Sequence, residues 1–130
     1  MKLRVFQQDD VPRLATSEWA HAAKRFFSTT IEVGERSANS AVLSVGGTAC
    51  RIAGRAREEQ DLRDALAADG GGGLYDLAER RCGAVWLVES DDERAALTLA
   101  AAMATVCLGP ILGDASLFGV RTAREKLAAL

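Results

Sequence analysis

Along the first half of the chain, hydrophobic and polar positions alternate in short runs broken by helical spacing. Residues 3–6 read as a first strand. Asp9 or Asp10 can cap a helix with Pro12 in its first turn, where a missing N–H costs nothing, and the pattern extends to about Phe27. Spacing at 100° per residue places Val11, Ala15, Trp19, Ala22 and Phe26 on one face, with Glu18, His21 and Arg25 along its edge and beyond. Residues 29–33 suit a second strand. The clearest local signal is the run 41–52, in which Gly46-Gly47 supplies a two-residue hairpin turn. That register pairs Val45 with Thr48, Leu43 with Cys50 and Ala41 with Ile52 on one face, leaving Val42, Ser44, Ala49 and Arg51 on the other. Two independent alternations agree on one buried face, so the sheet is at least partly antiparallel.

The second half begins with a helical segment, 57–68, carrying Leu62 and Leu66 one turn apart, and a shorter one, 74–81. Between them lies the only low-complexity element, Gly70 to Gly73, read as a flexible connector. Residues 84–88 are apolar without alternation, which predicts a central strand covered on both faces. Ser90-Asp91-Asp92-Glu93 has the S-x-x-E form of a capping box and opens a helix over 91–108. One arc of that helix carries Leu97, Leu99, Met103, Val106 and Leu108. A second holds Arg94, Ala95, Thr98, Ala101, Ala102 and Thr105, and Gly109-Pro110 ends it. Thr122 to Glu125 repeats the capping-box spacing before a last short helix, 126–130, after a loop over 111–120. The pattern predicts one α+β domain over 1–130: a mixed or partly antiparallel sheet with a Gly46-Gly47 hairpin, packed by about four helices.

Composition narrows the function classes. A chain of 130 residues, 48% hydrophobic and 26% charged, suits one globular domain and excludes intrinsic disorder. A net charge of -2 argues against a dedicated nucleic-acid surface. The longest mostly apolar stretch, 95–108, is shorter than the roughly 20 residues a spanning helix needs, and the polar Gln7 to Asp10 leave no signal-peptide core. A cytoplasmic location without membrane contact is therefore expected. Thirteen Arg against three Lys, with 24 Ala, is the usage of a GC-rich bacterial genome. The three cysteines, Cys50, Cys82 and Cys107, show no C-x-x-C spacing, so neither a disulfide scaffold nor a zinc ribbon is expected.

Candidate chemistry is sparse. Asp91, Asp92 and Glu93 follow the central strand, where folds of this kind assemble ligand sites, although capping and dipole compensation also account for them. Cys82 follows Arg80 and Arg81, whose charge would lower the pKa of an exposed thiol; the preferred reading is an inert one. Glu18 and His21 have the i,i+3 spacing of di-metal helices, but His21 is the only histidine, so no metal is expected. Arg51 and Arg94 can hold an anionic group. The small-residue arc of Ala95, Thr98, Ala102 and Thr105 suits self-association or a partner subunit.

Four fragments in order, Leu3 to Phe6, Ser44 to Thr48, Asp92-Glu93-Arg94 and Gly113 to Phe118, resemble the 6-phosphogluconolactonase and glucosamine-6-phosphate deaminase family over perhaps a quarter of the chain. The resemblance implies a sugar-phosphate site on Gly46-Gly47-Thr48 with an acidic partner near Asp92. Ala115 stands where that family has a histidine beside Asp114, and a Gly46-Gly47 hairpin is not the strand-loop-helix the family requires, so neither membership nor its catalysis is carried over. The leading expectation is a non-catalytic bacterial cytosolic domain, a homo-oligomer or accessory subunit that binds a small ligand, without a cofactor. The alternative is a small enzyme acting on a polar anionic metabolite such as a sugar phosphate, with Asp91, Asp92 or Glu93 as acid/base.

Overall fold

The computed structural model describes residues Met1–Leu130. In chain order its elements are β1 (Lys2–Gln7), α1 (Thr16–Phe27), β2 (Ile31–Arg36), β3 (Ser40–Val45), β4 (Thr48–Ala56), α2 (Glu59–Ala68), α3 (Leu74–Arg81), β5 (Ala84–Glu89), α4 (Glu93–Cys107), β6 (Ile111–Leu112), β7 (Leu117–Phe118) and α5 (Val120–Ala128). The strands form one sheet in the order β2-β3-β4-β5-β1-β6-β7, with every pairing antiparallel. This is the α+β class with five helices. No helix is long and apolar enough to cross a membrane.

The hairpin has the register its alternation predicts: Val45 faces Thr48, Leu43 faces Cys50 and Ala41 faces Ile52. Gly46 and Gly47 turn the chain at φ +57° and +88°, a pair of positive values that favours glycine. The buried face of β3 and β4 carries Ala41, Leu43, Val45, Cys50 and Ile52, and α1, α4 and α5 cover that side together with Leu3, Val5, Trp86 and Val88 from the central strands. Trp19 of α1 meets Trp86 edge-on, with ring centroids 5.1 Å apart. The opposite face carries a smaller cluster of Phe6, Val85, Leu112 and Leu117 under α2 and α3. Those helices stop short of the neighbouring positions, so β5 is central yet leaves Leu87 38% exposed. The expectation of cover on both faces is met at Val85 and not at Leu87.

Polar side chains anchor α2. Asp61 is fully buried and accepts two hydrogen bonds from Arg55, at 2.6 and 2.8 Å, and one from Arg4 at 2.9 Å. It also caps its own helix by accepting from the Glu58 backbone N–H at 2.8 Å. Burial alone would raise the Asp61 pKa, but these donors outweigh it and hold the carboxyl at about 2.

Several boundaries differ from the sequence pattern for identifiable reasons. α1 starts at Thr16 because the Gln7 side chain holds the preceding loop: its Nε2 donates to the Val11 carbonyl and its Oε1 accepts from the Arg13 N–H and from Trp86 Nε1. Val11 is consequently exposed ahead of the helix, Phe26 is exposed near its end, and the buried face of α1 consists of Thr16, Trp19, Ala22 and Ala23. α4 is capped by Asp92, whose Oδ1 accepts from the Arg94 N–H at 3.2 Å, rather than by a Ser90–Glu93 box. Ser90 instead donates to the Ala49 carbonyl and accepts from the Asp92 N–H, tying the helix start to β4. Leu108, at φ +58°, ends the helix, and Gly109 serves close approach: a Cβ there would collide with the Phe6 carbonyl. The expected 111–120 loop contains β6 and β7, and the last helix begins at Val120 rather than 126.

Candidate functional site

The β3–β4 turn, the N-terminus of α4 and the inner side of α5 enclose a cavity of about 360 Å³, within the size range of small-molecule sites. Gly46 and Thr48 come from the hairpin, Asp92, Arg94, Ala95 and Thr98 from the start of α4, Arg124 from α5, and Phe27 from the end of α1. The placement follows from packing: α4 lies against both α1 and α5, while Ser90 fixes its first turn to β4.

Charged groups of both signs border the cavity. Two guanidinium groups border it. Arg94 donates to the Leu130 carbonyl at 3.1 Å, and Arg124 stacks over the Phe27 ring at 5.2 Å, a cation–π contact that orients it beside the opening. The α4 N-terminus adds the positive end of a 15-residue helix. Thr98 is 95% buried, lines the cavity, and has a hydroxyl with no hydrogen-bond partner in the protein. Asp92 supplies the opposing charge. Its Oδ1 is engaged in the cap and its Oδ2 is unpartnered, so the rim can also accept a hydrogen bond from a ligand hydroxyl or ammonium group.

Of the residues singled out by sequence, Gly46, Thr48, Asp92 and Arg94 therefore line one cavity. The others do not. Gly47 points to open space and is not part of the lining. Arg51 sits on the opposite sheet face, where it pairs with Glu89 and holds that carboxyl below its ordinary range. Asp91 and Glu93 are exposed beside the cavity without lining it. Cys82 is buried under α3, and burial pushes its thiol up to about 11 despite the nearby Arg57, which removes the activation that Arg80 and Arg81 were expected to supply. Ala95, Thr98 and Ala102 are buried within the chain's own fold, and Thr105 donates its hydroxyl to the Ala101 carbonyl. Of the four residues expected to form an association surface, only Thr105 is half-exposed, and α4 packs against α1 and α5. Glu18 and His21 are exposed, and no cluster of three metal-ligating side chains is present.

Sequence reasoning missed Arg124, which the pattern placed in a capping box, and assigned Thr98 to a bland small-residue arc. A larger cavity, about 740 Å³, lies between α2 and the open sheet face. Its charges are largely mutually engaged: Arg4 with Asp64 at 2.7 Å, and Glu89 with Arg51 and with Lys2 at 3.8 Å. That leaves fewer uncommitted groups to recognise a ligand than the smaller site offers.

No protein-family model, curated protein or solved structure matches the chain. The two-residue hairpin at Gly46-Gly47 stands where the phosphogluconolactonase-like resemblance would need a strand-loop-helix, so that family's catalysis is not transferred to these residues.

Proposed function

We propose that this protein is a non-catalytic binding domain for a small organic anion, held in the cavity between the Gly46-Gly47 turn, the α4 N-terminus and α5. The observation that carries the reading is the convergence of Arg94, Arg124 and the unpartnered Thr98 hydroxyl on one cavity of about 360 Å³. The two guanidinium groups meet the anionic end of the ligand, Thr98 and the first N–H groups of α4 complete its oxygens, and the free oxygen of Asp92 receives a hydroxyl or amino group on its body. Phe27, Val45 and Leu127 provide the apolar walls.

Isothermal titration with inorganic phosphate, and then with a panel of phosphorylated and carboxylated metabolites, tests the reading. Arg94→Ala and Arg124→Ala are each expected to weaken binding about tenfold, and Thr98→Val, which keeps the shape, by less. Unchanged affinity in both arginine variants would overturn it, as would a wild-type protein that binds no anion at millimolar concentration.

The free Oδ2 of Asp92 also favours a second reading, an enzyme acting on the same polar anion with Asp92 as its acid/base. Asp92→Asn keeps a capping oxygen and removes the charge. Turnover of any bound metabolite that disappears in this variant while binding persists would establish the enzyme over the binding domain.

A further inference from the structure

Two hydrogen-bond donors near the start of α4 belong to residues lining the cavity of about 360 Å³ and have no acceptor in the protein. The first is a backbone group. Asp92 Oδ1 takes the Arg94 N–H and the Asp92 carbonyl takes the Ala96 N–H at 3.0 Å, which leaves the N–H of the buried Ala95 between them without a partner. The second is the hydroxyl of Thr98, one turn further along and only 5% exposed. Thr105, on the same helix, returns its hydroxyl to the carbonyl four residues back at 2.9 Å, whereas Thr98 forms no such bond. Side chains of a helix lean towards its N-terminus, so the Thr98 hydroxyl leans towards the turn that carries the Ala95 N–H. Buried donors left in this state call for an oxygen acceptor. At the cap of the same turn, Asp92 keeps Oδ2 free, so an uncommitted carboxylate oxygen stands beside the uncommitted donors.

We infer that the ligand of this site is an apolar α-amino acid held as its zwitterion, an inference that rests on the binding-domain reading above and narrows it. The ligand carboxylate accepts from the Ala95 N–H and the Thr98 hydroxyl, with Arg94 and Arg124 as counter-charges, and its ammonium group donates to Asp92 Oδ2. Arg124 is suited to that role. It lies over the Phe26 and Phe27 rings at 5.8 and 5.2 Å, while the ion pair of α5 is formed by Arg121 and Glu125 instead, so its charge is held in place without being neutralised. Because Asp92 and Ala95 share one turn, the positive and negative groups of the ligand must be neighbours, as they are on a single α-carbon. A doubly charged phosphate would meet the Asp92 carboxylate across that turn. A hydroxy acid would offer the carboxylate a neutral hydrogen bond, roughly half as strong as the charge-assisted one. The α-substituent lies against Phe27, Val45 and Leu127, which fits an apolar side chain.

Isothermal titration near neutral pH compares L-leucine with isocaproate, which has the same skeleton without the ammonium group, with α-hydroxyisocaproate and with inorganic phosphate. L-Leucine is expected to bind about tenfold more tightly than each of the other three. Asp92→Asn, which keeps a capping oxygen, should erase that preference by weakening leucine and leaving isocaproate unchanged. Thr98→Val should weaken leucine and isocaproate alike. Glu93→Gln, which removes a neighbouring carboxylate outside the lining, should leave the preference intact. Leucine bound no more tightly than isocaproate, or a preference that survives Asp92→Asn, overturns the inference and leaves the anion-binding reading standing. Failure of all four ligands to bind at millimolar concentration overturns both.

Discussion

Replacing Asp61 by Asn tests whether charge, rather than apolar packing, holds α2 on the sheet. Little apolar surface does that work: Ala65 is buried, Leu62 is half-buried and Leu66 is 58% exposed. The Asp61 carboxyl, by contrast, is reached by two guanidinium groups and a backbone N–H. Lowering its pKa from 3.8 to about 2 corresponds to about 2 kcal/mol of folded-state stabilisation of the charged form. Removing one partner of a buried ion pair generally costs about 3–5 kcal/mol. Arg4 keeps Asp64 and Arg55 keeps Glu58 in the variant, and both arginines are partly solvated, so the lower figure applies. Urea unfolding at pH 7 should show Asp61→Asn less stable by about 2–3 kcal/mol with an unchanged slope. The sign of the pH dependence follows from a depressed folded-state pKa: the stabilisation is complete above the ordinary value near 4 and is lost as pH falls towards 2. The gap between wild type and variant should therefore shrink by about 1 kcal/mol between pH 5 and pH 3. A gap that does not change with pH, or one below about 0.5 kcal/mol at pH 7, refutes the account.

Three further outcomes follow from burial and capping. Ala102→Glu places an unpaired carboxylate at a position with no solvent exposure, so it should lower stability by more than about 3 kcal/mol, read as a collapse of the thermal transition. A folded variant of normal stability whose oligomeric mass alone changed would instead support the association reading of that helix face. Cys50, Cys82 and Cys107 are all buried, with Cys82 and Cys107 pushed up to about 11 and 12, so an aromatic disulfide reagent at pH 8 should label the native protein only as fast as it opens. Rapid labelling of any one of them without denaturant would contradict this. Asp92→Ala should cost about 1 kcal/mol in urea unfolding through loss of the α4 cap, and an unchanged midpoint would show that the Ser90 contacts suffice.

Features of this fold that neighbouring residues determine are legible in the sequence, and those that distant strands determine are not. The β3–β4 hairpin was legible because two alternations and a Gly-Gly turn constrain each other within 12 residues, and the structure has the same register at each of the three predicted pairs. α3 occupies the predicted residues as well. β6 and β7, two residues each, were invisible because β6 exists only through pairing with β1, more than 100 residues earlier, and β7 only through β6. α4 was legible as a helix, but not in which of its residues turn inward. A wheel assigns Ala and Thr no inward preference, yet α4 is sandwiched between the sheet, α1 and α5, so that small residues become the ones that permit close approach. The same distinction divides the site. Asp92 and Arg94 were found because cap chemistry is written in consecutive residues, whereas Arg124 joins Arg94 only through the packing of α5 on α4. Arg51 shows that the information was sometimes present and unused, since the alternation that buries Cys50 and Ile52 already turns Arg51 to the other face of the sheet. The Arg4–Asp61–Arg55 anchor extends the point: its members lie 57 and 6 residues apart, and no spacing rule relates them. In a fold with a sheet ordered β2-β3-β4-β5-β1-β6-β7, long-range strand neighbours decide which charges meet. The chemistry of this protein is accordingly a property of strand order as much as of motif.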